Sequence, residues 1–136
     1  MGDKRYTGGC LCGAVRWEAE GPPAFQGVCF CRDCRRASGS GFVPFMGYPA
    51  GALSIRGRTT LYQSPSVKGV AARNSCLACG GLVFGGIVGQ DDQHTVYAGT
   101  LDDASLFKPA IAIFVKDRPD WAPLPPGLVC FEAMPE

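Results

Sequence analysis

Eight cysteines constrain this 136-residue chain more than any other feature. Seven of them stand in three tight groups: Cys10-Leu11-Cys12, Cys29-Phe30-Cys31-Arg32-Asp33-Cys34 and Cys76-Leu77-Ala78-Cys79. Cys130 stands alone in Leu128-Val129-Cys130-Phe131 and reads as a buried apolar residue of a last strand. An even count admits four disulfides. Disulfides, however, usually join distant strands, whereas sulfurs one or two residues apart suit convergence on one ion. The first residues, Met1 to Thr7, contain no apolar signal region. That start assigns the chain to the cytosol, where thiols stay reduced. Spacing and compartment together favour metal ligation.

Thiolates select zinc, copper(I) or iron–sulfur clusters. The C-x-C spacing at Cys10 and at Cys29 does not match the common ferredoxin runs, so zinc stands ahead of an iron–sulfur cluster. A closed structural zinc takes four protein ligands, and a zinc that does chemistry keeps three and an open position. Seven clustered sulfurs divide accordingly. Cys10, Cys12, Cys76 and Cys79 supply a closed site, and Cys29, Cys31 and Cys34 hold a second ion by themselves. One structural zinc with the remaining thiols free is the alternative. Gly8, Gly9 and Gly13 frame the first pair, and Gly80 and Gly81 follow Cys79, so the chain can turn its amides toward the sulfurs. Cys31 and Cys34 lie one helical turn apart, which predicts a short helix or turn over 33–38 ending at Gly39.

Composition settles the fold class. Nineteen glycines and 11 prolines exclude a helical bundle, since each costs about 1 or 3 kcal/mol in a helix interior. Strand-like segments separated by Gly and Pro fall at 15–19, 25–29, 42–47, 53–56, 60–63, 70–75, 82–86, 95–98, 110–115 and 128–132. A helical turn follows Asp102, with an N-cap and an acidic start. The expectation is a single all-β domain over residues 1–136, pinned by metal. Thirteen basic residues against 12 acidic ones leave a net charge of +1, without the footprint of a nucleic-acid or membrane binder. No segment approaches the ~20 apolar residues that cross a bilayer.

The ordered motifs add a family. Gly9-Cys10-Leu11-Cys12-Gly13-Ala14-Val15-Arg16, Cys29-x-Cys31-x-x-Cys34-Arg35-Arg36, Gly39-Ser40-Gly41-Phe42, Arg73-x-x-Cys76-x-x-Cys79-Gly80 and Gly99-Thr100-Leu101-Asp102-Asp103 follow one another from about Thr7 to Glu132. This order resembles the glutathione-dependent formaldehyde-activating enzyme family, which also includes the domain of centromere protein V. The resemblance implies a β-tent of twisted antiparallel sheets with short helical turns. It implies a structural zinc on Cys10, Cys12, Cys76 and Cys79 and a catalytic zinc on Cys29, Cys31 and Cys34. The implied activity is that of a carbon–sulfur lyase, S-(hydroxymethyl)glutathione synthase, joining formaldehyde to a thiol. The chain departs from the pattern at Phe30 and Ala112, where many members carry His, and at Ser75, where an aromatic residue is common.

A three-thiolate zinc is electron-rich and suits a thiol better than water at its open position. Glutathione or another small thiol is therefore the expected partner, ionised and attacking an aldehyde carbon. The alternative is a non-catalytic zinc module of the same fold, and no oligomeric state is implied. Arg32, Arg35 and Arg36 stand beside the triple as candidate contacts for an anionic thiol, or as an offset to thiolate charge on a solvated face. Arg73 reads as structural, near the closed zinc, and His94 as an exposed loop residue. Asp91/Asp92 and Asp102/Asp103 read as turns and a cap. Tyr6, Phe42, Phe45, Tyr48 and Tyr97 divide between core and pocket.

Overall fold

The computed structural model describes residues 5–66 and 69–135. The start of the chain, on which the reading of a missing leader partly rests, lies outside the described residues. Eleven short strands alternate with one α-helix among those described. A small sheet contains β1 (Arg5–Gly9), β2 (Arg16–Glu20) and β5 (Leu53–Arg56), in the order β1-β2-β5. The large sheet contains β3 (Phe25–Cys29), β4 (Val43–Pro49), β6 (Thr59–Ser66), β7 (Gly69–Cys76), β8 (Leu82–Gly85), β9 (Gln93–Tyr97), β10 (Ile111–Ile113) and β11 (Val129–Cys130). Its order is β11-β10-β3-β4-β9-β8-β7-β6. Pairing is antiparallel except at one end, where β10 runs parallel to both β3 and β11. No described helix is long and apolar enough to cross a membrane.

Strand periodicity builds two faces from the large sheet. Even-numbered residues of its middle strands, among them Met46, Tyr48, Phe84 and Val96, pack against Tyr6, Val15, Trp17 and Ala19 of the small-sheet side. Trp17 is the largest side chain in this core, and its indole nitrogen donates to Thr100 Oγ1 at 2.9 Å. Burial of each such side chain stabilises the fold by about 1.5–3 kcal/mol. Gly8 is required beneath the indole: an added Cβ would lie 2.6 Å from the ring and 2.3 Å from the Thr100 carbonyl. Odd-numbered residues point the other way. Phe25, Cys29, Val43, Phe45, Arg73, Thr95, Tyr97, Ile111 and Ile113 share a face that is left open as a cleft.

Four expectations are corrected by this architecture. Arg5–Gly9 is a strand, which its two glycines disguise; Tyr6 and Gly8 supply its buried face. His94 lies inside β9 rather than in an exposed loop, 4 % exposed, with its Nδ1 3.3 Å from the Gly85 carbonyl and its ring edge-on to Phe84. Cys130 is exposed, because β11 is a two-residue strand that ends the large sheet among the described residues. Arg73 projects onto the cleft face, away from the four-sulfur cluster.

Candidate functional site

The cysteines form two groups. Cys10, Cys12, Cys76 and Cys79 converge, as do Cys29, Cys31 and Cys34, with the sulfurs of each group within 4.8 Å of one another. Cys10 and Cys12 follow β1 of the small sheet, while Cys76 ends β7 of the large one. The four-sulfur group therefore joins the two sheets. Cys10 Sγ lies 3.7 Å from Cys12 Sγ, which lies 3.8 Å from Cys76 Sγ. Those separations far exceed a disulfide of about 2.05 Å. They match the edge of a tetrahedron, about 3.8 Å, drawn with zinc–sulfur bonds of about 2.3 Å.

Two turns aim backbone amides at these sulfurs. Val15 N–H donates to Cys10 Sγ at 3.3 Å, Ala78 N–H to Cys76 Sγ at 3.3 Å and Gly81 N–H to Cys79 Sγ at 3.4 Å. Left-handed Gly13 and Gly80 make the reversals possible. The amides favour thiolate. Cys10 is drawn down to about 6, first by the Val15 amide, and Cys79 is lowered first by the Gly81 amide. In Cys12 the Ala14 amide pulls down, but contact with the Cys10 sulfur and burial carry the thiol up to about 11. Four sulfurs crowded this closely compete for negative charge, and a dication removes the competition.

The three-sulfur group grows from the end of β3. Cys29 is its last residue, and Cys31 caps α1 (Arg32–Ser38). The Cys31 sulfur accepts from the Cys34 N–H at 3.3 Å. The helix stops at left-handed Gly39, whose N–H returns to the Arg35 carbonyl at 2.8 Å, as the sequence spacing anticipates. Contacts with the Cys29 and Cys34 sulfurs, followed by the Cys34 and Asp33 amides, draw the Cys31 thiol down to about 2. Its two neighbours move the other way. Cys29 is raised by its contacts with Cys31 and Cys34; Cys34 is lowered by Cys29 but raised further by Cys31 and burial. This donor set also fits a soft dication. Among the described residues no fourth His, Cys, Asp or Glu joins it.

The two groups differ in what surrounds them. Cys29 and Cys34 are part of the wall of a cleft of about 790 Å³, whereas none of the four sulfurs near Cys76 lines it. Arg73 reaches across from β7 and places Nη2 3.8 Å from Cys34 Sγ, with Nη1 3.4 Å from Ser64 Oγ. Tyr97 stands on the same wall, where burial pushes its phenol up to about 12. Phe45, opposite Tyr97 in the β4–β9 register, completes the floor beside it. Of the other aromatics considered, Tyr6 and Tyr48 pack in the inter-sheet core, with ring centres 6.3 Å apart, and Phe42 packs on Phe30.

Arg32, Arg35 and Arg36 lie on α1 outside the cleft lining. Arg32 pairs with Asp33 at 3.7 Å, and Arg35 Nε donates to the Phe30 carbonyl at 3.1 Å. Arg73 and Tyr97 are the site residues that sequence reasoning misplaced or left undecided. Alternation along β7 and β9 was the available signal, since both positions share the parity of the cleft face. Asp102 binds Arg16 and Thr7 of the small sheet beside the Gly8–Leu101 bridge, and Asp103 caps the turn 104–106 through the Ser105 N–H at 3.1 Å.

Fold and sulfur geometry define a β-sheet protein with two cysteine clusters fit for zinc, one between its sheets and one on a cleft. The chain belongs to the glutathione-dependent formaldehyde-activating enzyme family, whose model matches residues 5–117. It is also similar to a protein of Rhodobacter sphaeroides known from its crystal structure. The two are 27 % identical with a TM-score of 0.52, and the match covers 71 % of this chain and 87 % of the other. No curated protein matches the sequence.

Proposed function

We propose that this protein is a zinc-dependent enzyme of the carbon–sulfur lyase type, adding a small thiol to an aldehyde or releasing it again. Glutathione and formaldehyde, the compounds in the family's name, are the reference pair. The observation that carries the reading is the position of Cys29 and Cys34 on the wall of the large cleft. Cys10, Cys12, Cys76 and Cys79 would hold a structural zinc that pins one sheet to the other. Cys29, Cys31 and Cys34 would hold a second. Zinc bound by three thiolates supplies soft Lewis acidity, which favours the ionised form of an incoming thiol near neutral pH.

The chain's own residues shape the rest of the reaction. In the forward direction the thiol gives up its proton, and its sulfur forms a bond to the aldehyde carbon. The carbonyl π pair passes to oxygen, which takes up a proton to give the hydroxyalkyl thioether; release reverses these steps. Tyr97, a phenol that burial pushes still further above the neutral range, offers a hydrogen-bond donor on the cleft wall. Arg73 directs positive charge at the Cys34 sulfur and so steadies the three-thiolate set. Phe45 and Ile113 give the cleft wall beside the three sulfurs an apolar surface.

The test is a metal count combined with an exchange measurement. Anaerobically purified protein should carry two zinc ions per chain and accelerate exchange between free aldehyde and its thiol adduct. A single ion per chain, or no acceleration with any thiol, would leave a zinc-stabilised binding module instead.

A further inference from the structure

We infer that the thiol accepted by this cleft has an apolar body and no net negative charge, unlike glutathione. The inference rests on the thiol–aldehyde reading and narrows its substrate class. Volume does not discriminate, because about 790 Å³ accommodates a tripeptide as well as a smaller thiol. Charge does. Asp91 and Asp92 both line the cleft and are exposed there. Arg73 is the one basic residue among the described lining residues, and its guanidinium is already directed at Cys34 Sγ and Ser64 Oγ. The arginines of α1, which a carboxylate-bearing thiol would call on, stand outside the lining.

The remaining wall is hydrocarbon and aromatic: Phe25, Val43, Phe45, Ile111, Ile113 and Met134. A three-thiolate site holding a dication keeps one negative charge, so the floor and the acidic rim have the same sign. Ionised glutathione would bring two carboxylates and one ammonium. The ammonium can meet Asp91 or Asp92, but among the described lining residues only Arg73, already turned to Cys34 and Ser64, could receive a carboxylate, and a net negative charge remains. A ligand of net negative charge meets the acidic rim unfavourably, and apolar walls offer carboxylates no hydrogen bonds in exchange. A neutral thiol with a hydrocarbon body meets neither cost.

Cobalt(II) loaded into the full chain gives a test that does not depend on turnover, because a thiolate entering the open site changes the sulfur-to-metal absorption. Glutathione, 2-phenylethanethiol and cysteamine are titrated in turn, with adduct exchange measured in parallel on the zinc protein. The expected result is that 2-phenylethanethiol binds at least about tenfold more tightly than glutathione, with cysteamine, which lacks the apolar body, weaker than 2-phenylethanethiol. Asp92→Asn should narrow the advantage of 2-phenylethanethiol over glutathione. Tighter binding of glutathione than of either, with exchange intact, overturns this inference and leaves the thiol–aldehyde reading standing. An optical and exchange response to none of the three overturns both.

Discussion

Arg73 Nη2 lies 3.8 Å from Cys34 Sγ, linking strand β7 to helix α1 across 39 residues of sequence. Through this contact a residue three places before the four-sulfur cluster serves the three-sulfur one. Burial of the guanidinium opposes its charge, but the Cys34 sulfur outweighs that and raises the arginine pKa further. Arg73→Met should therefore weaken metal binding at Cys29, Cys31 and Cys34 by about tenfold or more, the usual range for groups supporting a metal ligand. The other ion should be retained. Competition with a graded chelator, read as zinc released per chain, checks this; equal loss from both sites would contradict it.

Cys34→Ser and Cys76→Ser should separate the two clusters. The first removes a ligand from the cleft wall and should abolish both the second metal and any thiol–aldehyde exchange, with circular dichroism unchanged. The second removes a buried ligand that joins the two sheets. Structural zinc contributes on the order of 10 kcal/mol in small domains, so Cys76→Ser should leave little folded protein. Elemental analysis and thermal melts of the two variants distinguish these outcomes.

Acid should loosen the tie between the segment after β9 and the small sheet. Arg16, and then Thr7, hold the Asp102 carboxylate down to about 2. Because the folded value lies below the unfolded one, the pair stabilises the protein fully above about pH 4 and loses that contribution as pH falls through about 2. The ion pair is half exposed, with side-chain exposures of 36 % and 47 %, which limits its worth to about 1 kcal/mol. Asp102→Asn should flatten this part of the stability profile, as urea midpoints between pH 5 and pH 2 would show.

The inter-sheet core makes a plain energetic prediction. Trp17 is 2 % exposed, stacks near Tyr48 and donates a hydrogen bond to Thr100. Trp17→Ala should cost about 3–5 kcal/mol and Trp17→Phe distinctly less, since the ring volume is partly kept. Denaturant unfolding gives both values. A loss below about 1 kcal/mol for alanine would mean that the two sheets do not depend on this contact.

The cysteine grouping was legible because ligand spacing is local: two sulfurs on one turn declare themselves in four residues of sequence. The strands were legible for the same reason, through alternation and through turns marked by Gly and Pro. Where alternation was carried by small residues it failed, as at Gly8 in β1. Where an edge strand lacked a neighbour it misled, as at Cys130. His94 was hidden by its polar flanks, Asp91, Asp92 and Gln93, although it occupies an inward position of β9.

Local spacing, then, gathered seven sulfurs into three motifs, for which a division into four and three stood beside a single structural zinc, and the run of Gly, Pro and strand-like segments gave a β-fold around them. Which set would face the cleft depended on strand order. Cys29 reaches that wall because β3 lies between β10 and β4, and Arg73 and Tyr97 reach it because β7, β8 and β9 continue the same sheet. Pairing of strands distant in sequence is set by the burial of a whole face at once. No single segment encodes that face, so only the assembled sheet decides what stands beside the sulfurs.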